Sequence, residues 1–455
     1  MSSTIAAIST GQAPGGIGVV RISGPEARQV GDRVFSAIRG KKLCLMDGYT
    51  CAFGWVHSSS GDKLDDCVAT VFVAPRSYTG EDVVELSCHG GLYITRRVLQ
   101  EVLFAGAQPA GPGEFTKRAF LNGKMDLAQA ESVMEMIHAS GRQAARMAEA
   151  ASSGALTKKV DEIAFTLGQL GAHLAAWADF PEEDVEELAE EELASSLAGC
   201  RANLEKLLKG FEQGRTYREG LRTVIAGRPN VGKSTLMNLL AGCQRSIVTE
   251  YPGTTRDVVE ETVMLAGIPL ILADTAGLRE TEDPVEEIGV AAARERISSA
   301  QLVLAVFDGS CELEAEDIAL MERLRGYPAL AVVNKTDLEH KIDLEKIYAR
   351  FSQVVVISAG EGQGIEELGK ALETLLDEKD FDPDHGELFT ERQRKAVQRA
   401  VESLMEGESA LSGGMTLDAV TVCVEDALAA LYELTGKRVS EEIVDQVFEQ
   451  FCVGK

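Results

Sequence analysis

The sequence predicts a multidomain chain in which an α/β domain with a phosphate-binding P-loop is inserted into an all-α helical domain, behind an α+β N-terminal domain. Three observations support this prediction. A glycine-rich loop separates an apolar run from a helical pattern near residue 230, strand and helix patterns mix in residues 1–122, and helical periodicity flanks the insertion on both sides. Because 455 residues exceed what one hydrophobic core supports, several domains are expected.

These patterns place the predicted domain boundaries. We assign residues 1–122 to the N-terminal α+β domain and residues 123–218 to the first part of the helical domain. The inserted α/β domain covers residues 219–378, and the second part of the helical domain covers residues 379–455. Such an insertion is a normal architecture where the two ends of the inserted domain lie close together.

The N-terminal domain is predicted to combine short strands with two helices. Apolar residues cluster or alternate in five short segments, and helical spacing covers two longer ones. The predicted strands are residues 4–8, 18–22, 49–55, 66–73 and 82–87, and the predicted helices are residues 26–38 and 91–105.

Three polar residues of this domain are candidates for chemistry. Arg21 and Glu85 lie among apolar neighbours on predicted strands, and His89 follows in Cys88-His89-Gly90-Gly91. The positive charge of Arg21 in such a place needs an anionic ligand or an acidic partner, and the charge of Glu85 is equally anomalous there. An internal ion pair is the more common outcome, so the residues alone leave both interpretations open.

Helical periodicity dominates the chain on both sides of the inserted domain. No proline occurs between Lys124 and Pro181, and apolar residues there recur three to four positions apart. Further helices are predicted at residues 184–212, 391–411 and 417–451. Apolar stripes of this length more often form a core or a self-association face than a ligand site.

A phosphate-binding loop is predicted at residues 227–234, Gly-Arg-Pro-Asn-Val-Gly-Lys-Ser, which match G-x-x-x-x-G-K-[ST]. The apolar run Thr223–Ala226 precedes the loop and a helical pattern starts at Ser234, as this motif requires. The glycines let backbone N–H groups converge on phosphate oxygens at a helix N-terminus. Lys233 would bridge the β- and γ-phosphates, and Ser234 would ligate Mg²⁺.

Two further motifs indicate which nucleotide base is bound. Asn334-Lys335-Thr336-Asp337 follows the apolar strand 330–333, and Ser358-Ala359 follows the strand 354–357. In N-K-x-D, the aspartate carboxylate accepts from the ring N–H and the exocyclic amine of guanine, a donor pair that adenine lacks. The Ser358-Ala359 loop suits backbone support of the same base.

A fourth motif, Asp274-Thr275-Ala276-Gly277, follows the apolar run 270–273. Its aspartate would hold Mg²⁺ through water, and its glycine N–H would contact the γ-phosphate. Each tetrapeptide alone is a weak signal. Four of them in this order, each at the end of a strand in a parallel sheet, lie where open α/β sheets bind ligands. Together they predict a GTP-binding domain.

The motifs do not define the residue that orients the attacking water. Leu278 occupies the position at which Ras-type proteins carry a glutamine, and leucine neither donates nor accepts a hydrogen bond. The acidic residues that follow are all candidates, and the residues alone do not choose among Glu280, Glu282, Asp283, Glu286 and Glu287.

Residues 249–257, Thr-Glu-Tyr-Pro-Gly-Thr-Thr-Arg-Asp, are rich in turn residues and offer carbonyl and hydroxyl oxygens to cations. Thr255 suits Mg²⁺, and Asn230 in the phosphate loop supplies an amide oxygen. We hypothesise that a monovalent cation lies between that oxygen, the carbonyls of this segment and the phosphates. Such a cation could replace an arginine finger.

Composition limits the class of protein. The net charge of −27, from 72 acidic and 45 basic residues, disfavours broad non-specific nucleic-acid binding, although it permits a local basic patch. Nine scattered cysteines with no signal-peptide pattern indicate reduced thiols and a cytoplasmic location. No stretch approaches 18 apolar residues, so no membrane span is expected.

The combination of motifs resembles the MnmE (TrmE) family of tRNA-modification GTPases over the whole chain. The phosphate loop and Gly-Thr-Thr-Arg-Asp (253–257) occur together with several segments outside the inserted domain. These are Gly-Gly-Ile-Gly-Val-Val-Arg-Ile-Ser-Gly (15–24), Gly-Glu-Asp-Val-Val-Glu (80–85), Pro-Gly-Glu-Phe-Thr-Lys-Arg-Ala-Phe-Leu-Asn-Gly-Lys (112–124) and Phe-Cys-Val-Gly-Lys (451–455).

The resemblance implies a tRNA modification enzyme with a folate-binding N-terminal domain and an inserted GTPase domain. Such a protein acts as a homodimer whose GTPase domains meet across bound K⁺. With the FAD-dependent partner MnmG, as a heterotetramer, it adds a (carboxymethyl)aminomethyl group to C5 of the wobble uridine of certain tRNAs. The one-carbon unit comes from 5-formyl- or 5,10-methylene-tetrahydrofolate and is passed on with glycine or ammonium.

The resemblance also assigns residues to roles, by position in the matching motifs. Glu286 aligns with the catalytic glutamate that orients water. Folate would be held by Arg21, Glu85, Lys124 and Lys455; Mg²⁺ by Ser234 and Thr255; and K⁺ by Asn230, Thr249, Tyr251 and Thr254. GTP would be contacted by Asn230, Val231, Gly232, Lys233, Ser234, Thr235, Thr249, Glu250, Tyr251, Pro252, Gly253, Thr254, Thr255, Asp274, Thr275, Ala276, Gly277, Asn334, Lys335, Asp337, Ser358 and Ala359.

Two positions and two alternatives qualify this assignment. Gly360 stands where many G proteins place lysine, so base contact there rests on backbone, and Cys452 has a redox role only if its pKa is lowered. A ribosome-assembly GTPase would share the GTPase core but lack the N-terminal domain. A folate-dependent one-carbon carrier would use the GTPase domain only for regulation.

Overall fold

The computed structural model separates the chain into two compact units. The first unit contains Met1–Met134, Val160–Ala194 and Glu402–Lys455, and the second contains Glu135–Lys159 and Ser195–Val401. None of the described helices combines the length and apolar character needed to cross a bilayer. The structure describes residues 3–11, 13–139, 141–179, 190–243, 261–272, 300–376 and 386–454.

A mostly antiparallel sheet forms the N-terminal part of the first unit. Its strands are β1 Ile5–Ile8, β2 Ile17–Ser23, β3 Phe35–Ala37, β4 Thr50–His57, β5 Lys63–Phe72, β6 Val83–His89 and β7 Gln108–Pro109. Within the described residues their order is β3-β4-β5-β6-β2-β1-β7, and β1 and β7 run parallel. Alternation along each strand sends one set of side chains to the core and the other set to the opposite face.

Helices account for most of the remaining described residues. They are α1 Ala27–Val34, α2 Leu92–Phe104, α3 Glu114–Leu121, α4 Leu127–His138, α5 Arg142–Ser152, α6 Ala155–Asp179, α7 Glu190–Glu219, α8 Lys233–Cys243, α9 Ala315–Arg323, α10 Leu344–Tyr348, α11 Ile365–Leu375, α12 Glu391–Ser412, α13 Leu417–Thr435 and α14 Glu441–Glu449. α1 and α2 cover one face of the first sheet, where Val30 and Val98 join a core with strand residues such as Ile22 and Leu86.

The first predicted helix was too long. α1 ends at Val34, and Phe35–Ala37 form the edge strand β3 instead of the helix predicted up to residue 38. Phe35 is buried and pairs with Val56 across β3 and β4. This pairing outweighs local helical periodicity, which contains no information about a strand partner distant in sequence. The other strands predicted in this domain and the helix at 91–105 are confirmed, with ends that differ by a few residues.

The C-terminal segment lies against β1 and β2 inside the first unit. Val453 forms an antiparallel bridge with Pro112, and Arg21 Nη1 donates to the carbonyl oxygen of Gly454 at 3.4 Å. Gly454 has φ +100°, and a Cβ there would lie 2.2 Å from the carbonyl oxygen of Ile8. Only glycine permits this approach, which places Gly454 beside Arg21.

The second unit contains the predicted α/β sheet. Its strands are β8 Leu221–Ala226, β9 Glu261–Leu265, β10 Ile268–Leu272, β11 Leu302–Asp308, β12 Ala329–Asn334 and β13 Val354–Val356. The order among the described strands is β13-β12-β11-β8-β10-β9. The strands that precede the motifs, β8, β10, β12 and β13, lie with β11 in a parallel arrangement, which confirms the prediction, and β9 adds an antiparallel strand beside β10 at the edge. β9 and β10 join through a tight turn, which only antiparallel neighbours can use.

The C-terminal region is helical, as its sequence periodicity predicts. α12 matches the helix predicted at residues 391–411, while the region 417–451 divides into α13 and α14. Gly436 with φ +82° ends α13, and the Ser440 side chain caps α14 by accepting from Ile443 N. α7 confirms the helix predicted at 184–212 from residue 190 onward, and its earlier residues lie outside the described ranges.

Candidate nucleotide site and a second charged site

The phosphate loop connects β8 to α8, as predicted. Asn230 has φ +63° and Gly232 has φ +95°, so two left-handed residues turn the chain between strand and helix. A Cβ on Gly232 would lie 2.2 Å from Asn334 Nδ2, and glycine is therefore required by close contact as well as by conformation. Ser234 and Thr235 are exposed in the first turn of α8, where backbone N–H groups lack intrahelical acceptors and favour an anion.

The ammonium group of Lys233 folds over this loop. Its Nζ donates to the carbonyl oxygens of Gly227 at 2.8 Å and Arg228 at 2.7 Å. Burial lowers the pKa of Lys233, and the nearby carboxylate of Glu316 opposes that shift. A partly buried ammonium that rests on two neutral carbonyls can exchange them for phosphate oxygens, which are stronger acceptors. The position supports the phosphate-binding role predicted for this lysine.

Asn334 joins the phosphate loop to the predicted base-binding loop. It ends β12, where its Nδ2 donates to the carbonyl oxygen of Val231 at 2.9 Å and its Oδ1 accepts from Ala359 N at 2.9 Å. Ser358 Oγ donates to Asp337 Oδ1 at 2.6 Å and thereby orients the carboxylate predicted to read guanine. Because the carboxyl ends of parallel strands meet at one edge, these distant motifs form a single site.

Lys335 makes a second link between the two loops. Its Nζ donates to the carbonyl oxygen of Asn230 and to Asp308 Oδ2, both at 2.7 Å. Asp308 is buried at the end of β11, and its Oδ1 accepts from the N–H and hydroxyl of Ser310. Burial acts to raise the pKa of Asp308, but the hydrogen bonds from Lys335 and Ser310 outweigh it and lower the pKa.

Asp308 was missed by the sequence analysis. The signal that could have found it is an aspartate directly after the apolar run Leu302–Phe307, which resembles the strand ends of the other motifs. Arg228 was also missed. It approaches Asp317 Oδ2 with its Nε at 3.2 Å and bonds Glu314 with Nη1, which ties the phosphate loop to the start of α9.

Several predicted site residues lie outside the described ranges, and the structure does not test their roles. They are Thr249, Glu250, Tyr251, Pro252, Gly253, Thr254, Thr255, Asp274, Thr275, Ala276, Gly277, Glu286 and Lys455, together with Leu278.

A second charged site lies on the sheet of the first unit. Arg21 and Glu85 are cross-strand partners on β2 and β6, and Arg21 Nε donates to Glu85 Oε1 at 2.8 Å. The guanidinium carbon of Arg21 lies 5.7 Å from the ring centre of Tyr78 and 5.5 Å from that of Phe115. The side chains of Arg21 and Glu85 remain 16% and 25% exposed, so a ligand can reach both charges.

Contacts near this pair give structural roles to several residues of the 112–124 motif. Arg118 donates to Glu81 at 3.1 Å and to Glu114 at 2.8 Å, and Asn122 Nδ2 donates to the carbonyl oxygen of Thr79 at 2.7 Å. These contacts hold α3 against the segment that carries Tyr78. Lys124, predicted to contact folate, donates its Nζ to the carbonyl oxygen of Pro75 at 3.1 Å.

The two sites fit the ligands predicted for them in different ways. Within the described residues, the side-chain amide of Asn230 has no hydrogen-bond partner and Ser234 is exposed, so both side-chain oxygens are available to cations beside the phosphates. The Arg21–Glu85 pair offers a donor and an acceptor next to two aromatic rings. A flat heterocycle with its own donors and acceptors suits that combination.

The chain is similar to known proteins along its whole length. Residues 4–124 match the family described as "GTP-binding protein TrmE N-terminus", and residues 127–452 match the family described as "MnmE helical domain". Three relatives named tRNA modification GTPase MnmE come from Symbiobacterium thermophilum, Heliobacterium modesticaldum and Alkaliphilus metalliredigens. They are 45%, 43% and 41% identical to this chain, respectively. The matches cover 99%, 99% and 100% of this chain, and 99%, 99% and 100% of the relatives.

The Lys335–Asp308 link generates a prediction about nucleotide release. Asp308→Asn keeps the shape of the side chain but removes the charge that holds Lys335, so we expect GDP to dissociate roughly tenfold to hundredfold faster. Stopped-flow release of a fluorescent GDP analogue measures this rate. Because the pKa of Asp308 is lowered, the link is present at neutral pH and is lost only as pH falls through that lowered pKa.

Asp343→Asn is the matched control, since Asp343 caps α10 and asparagine caps a helix equally well. Equal GDP release rates for the two variants would show that Asp308 does not contribute to nucleotide binding.

Proposed function

Because this chain belongs to the MnmE family of tRNA modification GTPases, we propose that it hydrolyses GTP to drive modification of C5 of the wobble uridine in certain tRNAs. Under this proposal the group added is a (carboxymethyl)aminomethyl group, and the FAD-dependent protein MnmG acts with it as a heterotetramer. The proposal places this reaction in the cytoplasm. It keeps the division into an N-terminal domain (1–122), a helical domain in two parts (123–218 and 379–455) and an inserted GTPase domain (219–378).

One observation carries the nucleotide part of the proposal. Asn334 ties the phosphate loop to the base-binding loop through both ends of its amide, and Ser358 orients Asp337 toward the same edge. A carboxylate fixed in this position accepts the two N–H donors of guanine and is left unpaired by adenine. The described geometry therefore supports GTP as the nucleotide.

We assign the hydrolytic step to Glu286. Leu278 cannot hydrogen-bond to water, so another side chain must orient the nucleophile. The resemblance to the family selects Glu286 from the acidic residues nearby. A carboxylate at this point would accept a proton or a hydrogen bond from the attacking water, which is how general bases contribute to such reactions.

Cations complete the proposed phosphate site. Mg²⁺ would be held by Ser234 and Thr255 and would neutralise charge on the phosphates. K⁺ would be held by the Asn230 amide with oxygens of Thr249, Tyr251 and Thr254. The exposed amide of Asn230 and its left-handed backbone, which projects from the phosphate loop, support this assignment. A homodimer that closes over K⁺ would make hydrolysis depend on protein concentration.

The Arg21–Glu85 site would hold 5-formyl- or 5,10-methylene-tetrahydrofolate. When bound, the folate would supply the one-carbon unit, which is passed on with glycine or ammonium. Glu85 would accept from the pteridine amines and Arg21 would donate to its carbonyl oxygen. The C-terminal segment supports this proposal, because the carbonyl oxygen of Gly454, the residue before Lys455, accepts a hydrogen bond from Arg21. Lys124 would complete the pocket.

GTP hydrolysis supplies no bond-forming chemistry to uridine, so we assign it a conformational role. The GTPase domains would approach in the GTP-bound state and separate after hydrolysis, which would gate access to the modification site.

Removing Glu286 tests the catalytic assignment. Glu286→Ala should retain GTP affinity, lose about a hundredfold or more in kcat, and fail to restore modified wobble uridine in a deletion strain. Mass analysis of tRNA nucleosides and a phosphate-release assay measure both effects, with Glu282→Ala as the neighbouring control. Full turnover by Glu286→Ala would show that another residue orients the water. An unmodified nucleoside profile even with the wild-type protein would favour the ribosome-assembly alternative.

The cation proposal predicts a specific salt requirement. Hydrolysis should be faster in KCl than in NaCl by about tenfold or more, because the cation replaces the charge of an arginine finger. Asn230→Gly keeps the left-handed backbone but removes the amide, and it should lose most of the response to K⁺. Equal wild-type rates in the two salts, across a range of protein concentrations, would contradict the proposed K⁺ site.

The folate proposal predicts a binding defect in the first unit. Arg21→Ala should abolish saturable binding of 5-formyl-tetrahydrofolate in calorimetry, whereas Arg96→Ala, an exposed arginine on α2, should bind normally. Arg21→Ala alone leaves Glu85 unpaired, so Arg21→Ala/Glu85→Ala serves as the second variant and should fold without an isolated charge. Wild-type affinity in both variants, with cooperative thermal unfolding, would place the folate elsewhere.

A further inference from the structure

We propose that residues 38–53, which comprise the connection from β3 to β4 and the first four residues of β4 and are called here the 38–53 edge, bind the anticodon stem-loop of tRNA. This inference rests on the proposed function, because it names the surface that receives the substrate of that reaction. Positive charge, a fixed backbone and exposed rings on this edge support the proposal.

The 38–53 edge carries a net positive charge. Arg39, Lys41 and Lys42 are exposed, and the 38–53 edge contains one acidic residue, Asp47. Within the described part of the chain, none of the three cations forms an ion pair. Other exposed lysines of the same unit are neutralised: Lys63 by Asp66, Lys117 by Asp445 and Lys437 by Asp161. A local cluster of free cations in a chain of net charge −27 favours an anionic partner.

The backbone beneath these cations is fixed. Asp32 accepts from the N–H groups of Leu43 at 2.6 Å and Cys44 at 3.1 Å. Arg28 donates to the carbonyl oxygens of Leu43 at 3.2 Å and Met46 at 3.1 Å. Leu43 itself is fully buried and anchors the turn in the core. The cations are therefore presented from an ordered turn, which reduces the entropy lost when they engage phosphates.

Exposed rings and aliphatic side chains border the charge. The Tyr49 side chain is 66% exposed, and its backbone has φ +62°, which is unfavourable for a bulky residue. Its ring stands edge-on to Phe72, with centroids 5.5 Å apart. Phe53 lies on β4 and is 54% exposed. Ile38 is 60% exposed, and its N–H donates to the carbonyl oxygen of Phe53. Backbone strain retained at an exposed tyrosine points to a functional contact.

RNA fits this combination better than another partner. Single-stranded loop bases stack on aromatic side chains, while basic residues contact the phosphates. A second copy of this chain would bring the same cations against each other if the edge lay on a two-fold axis. A folded protein partner with acidic groups could satisfy the charge, but it would not require a strained and exposed tyrosine. Loop nucleotides use both features.

The cations provide the first test. The full-length triple variant Arg39→Gln/Lys41→Gln/Lys42→Gln should bind a fluorescein-labelled anticodon stem-loop RNA roughly tenfold to hundredfold more weakly in anisotropy titrations. The slope of log K against log salt should fall by about 2, because three phosphate contacts are lost. The control Lys63→Gln/Arg96→Gln/Lys437→Gln changes the net charge equally and should bind within about twofold of wild type.

Substitution of Tyr49 tests RNA binding without changing the net charge of the protein. Tyr49→Asn removes the ring while asparagine tolerates the left-handed backbone, and it should weaken RNA binding by about fivefold or more. Tyr49→Phe keeps the ring and should bind like wild type. GTP hydrolysis should be unchanged in every variant, since none of these residues lies in the nucleotide site.

Three outcomes would overturn the proposal. One is equal RNA affinity for the triple variant and its control. The second is unchanged RNA binding with a loss of dimer in sedimentation, which would assign the edge to a second copy. The third is unchanged RNA binding with loss of the FAD-dependent partner, which would assign it to a protein. Failure of the proposed function is distinguishable, because the wild-type protein would then bind RNA but leave the wobble uridine unmodified.

Discussion

The nucleotide site depends on the side-chain amide of Asn334. This buried amide is satisfied at both ends, by the carbonyl oxygen of Val231 in the phosphate loop and by the N–H of Ala359 in the base loop. Removing it would leave two buried backbone groups unpaired, which costs more than the hydrogen bonds themselves contribute. The same contact explains why position 232 is glycine, since a Cβ there would collide with the amide nitrogen.

Charge adds a second link to this arrangement. Lys335 bridges Asp308 and the carbonyl oxygen of Asn230, so the residue after the base-loop asparagine also fixes the backbone of the residue proposed to hold K⁺. Loss of either partner would free a left-handed segment of the phosphate loop. The guanine site and the proposed cation site therefore share one stretch of backbone, and a change that loosens the base loop should also displace the cation ligand.

The sequence predicted where the described loops of this site lie, because its motifs follow apolar strands whose carboxyl ends must meet. The loops at residues 227–234, 334–337 and 358–359 were confirmed in position for that reason. Asp308 and the contact of Arg228 with Asp317 were missed, because each joins segments far apart in sequence and neither belongs to a short pattern. The edge strand at Phe35–Ala37 was mistaken for helix by the same limitation, since only its partner β4 makes it a strand.

The Arg21–Glu85 pair shows how the two interpretations of a buried charge can both hold. The sequence left open an internal ion pair or a ligand, and the structure contains the pair with part of each side chain still exposed. A ligand that replaced only one partner would leave the other charge unpaired in a partly apolar site, which is strongly unfavourable. A suitable ligand must therefore donate to Glu85 and accept from Arg21 at once. A pteridine ring carries amine donors beside a carbonyl acceptor on one flat edge, and its faces can contact Tyr78 and Phe115. A simple anion meets only half of that requirement.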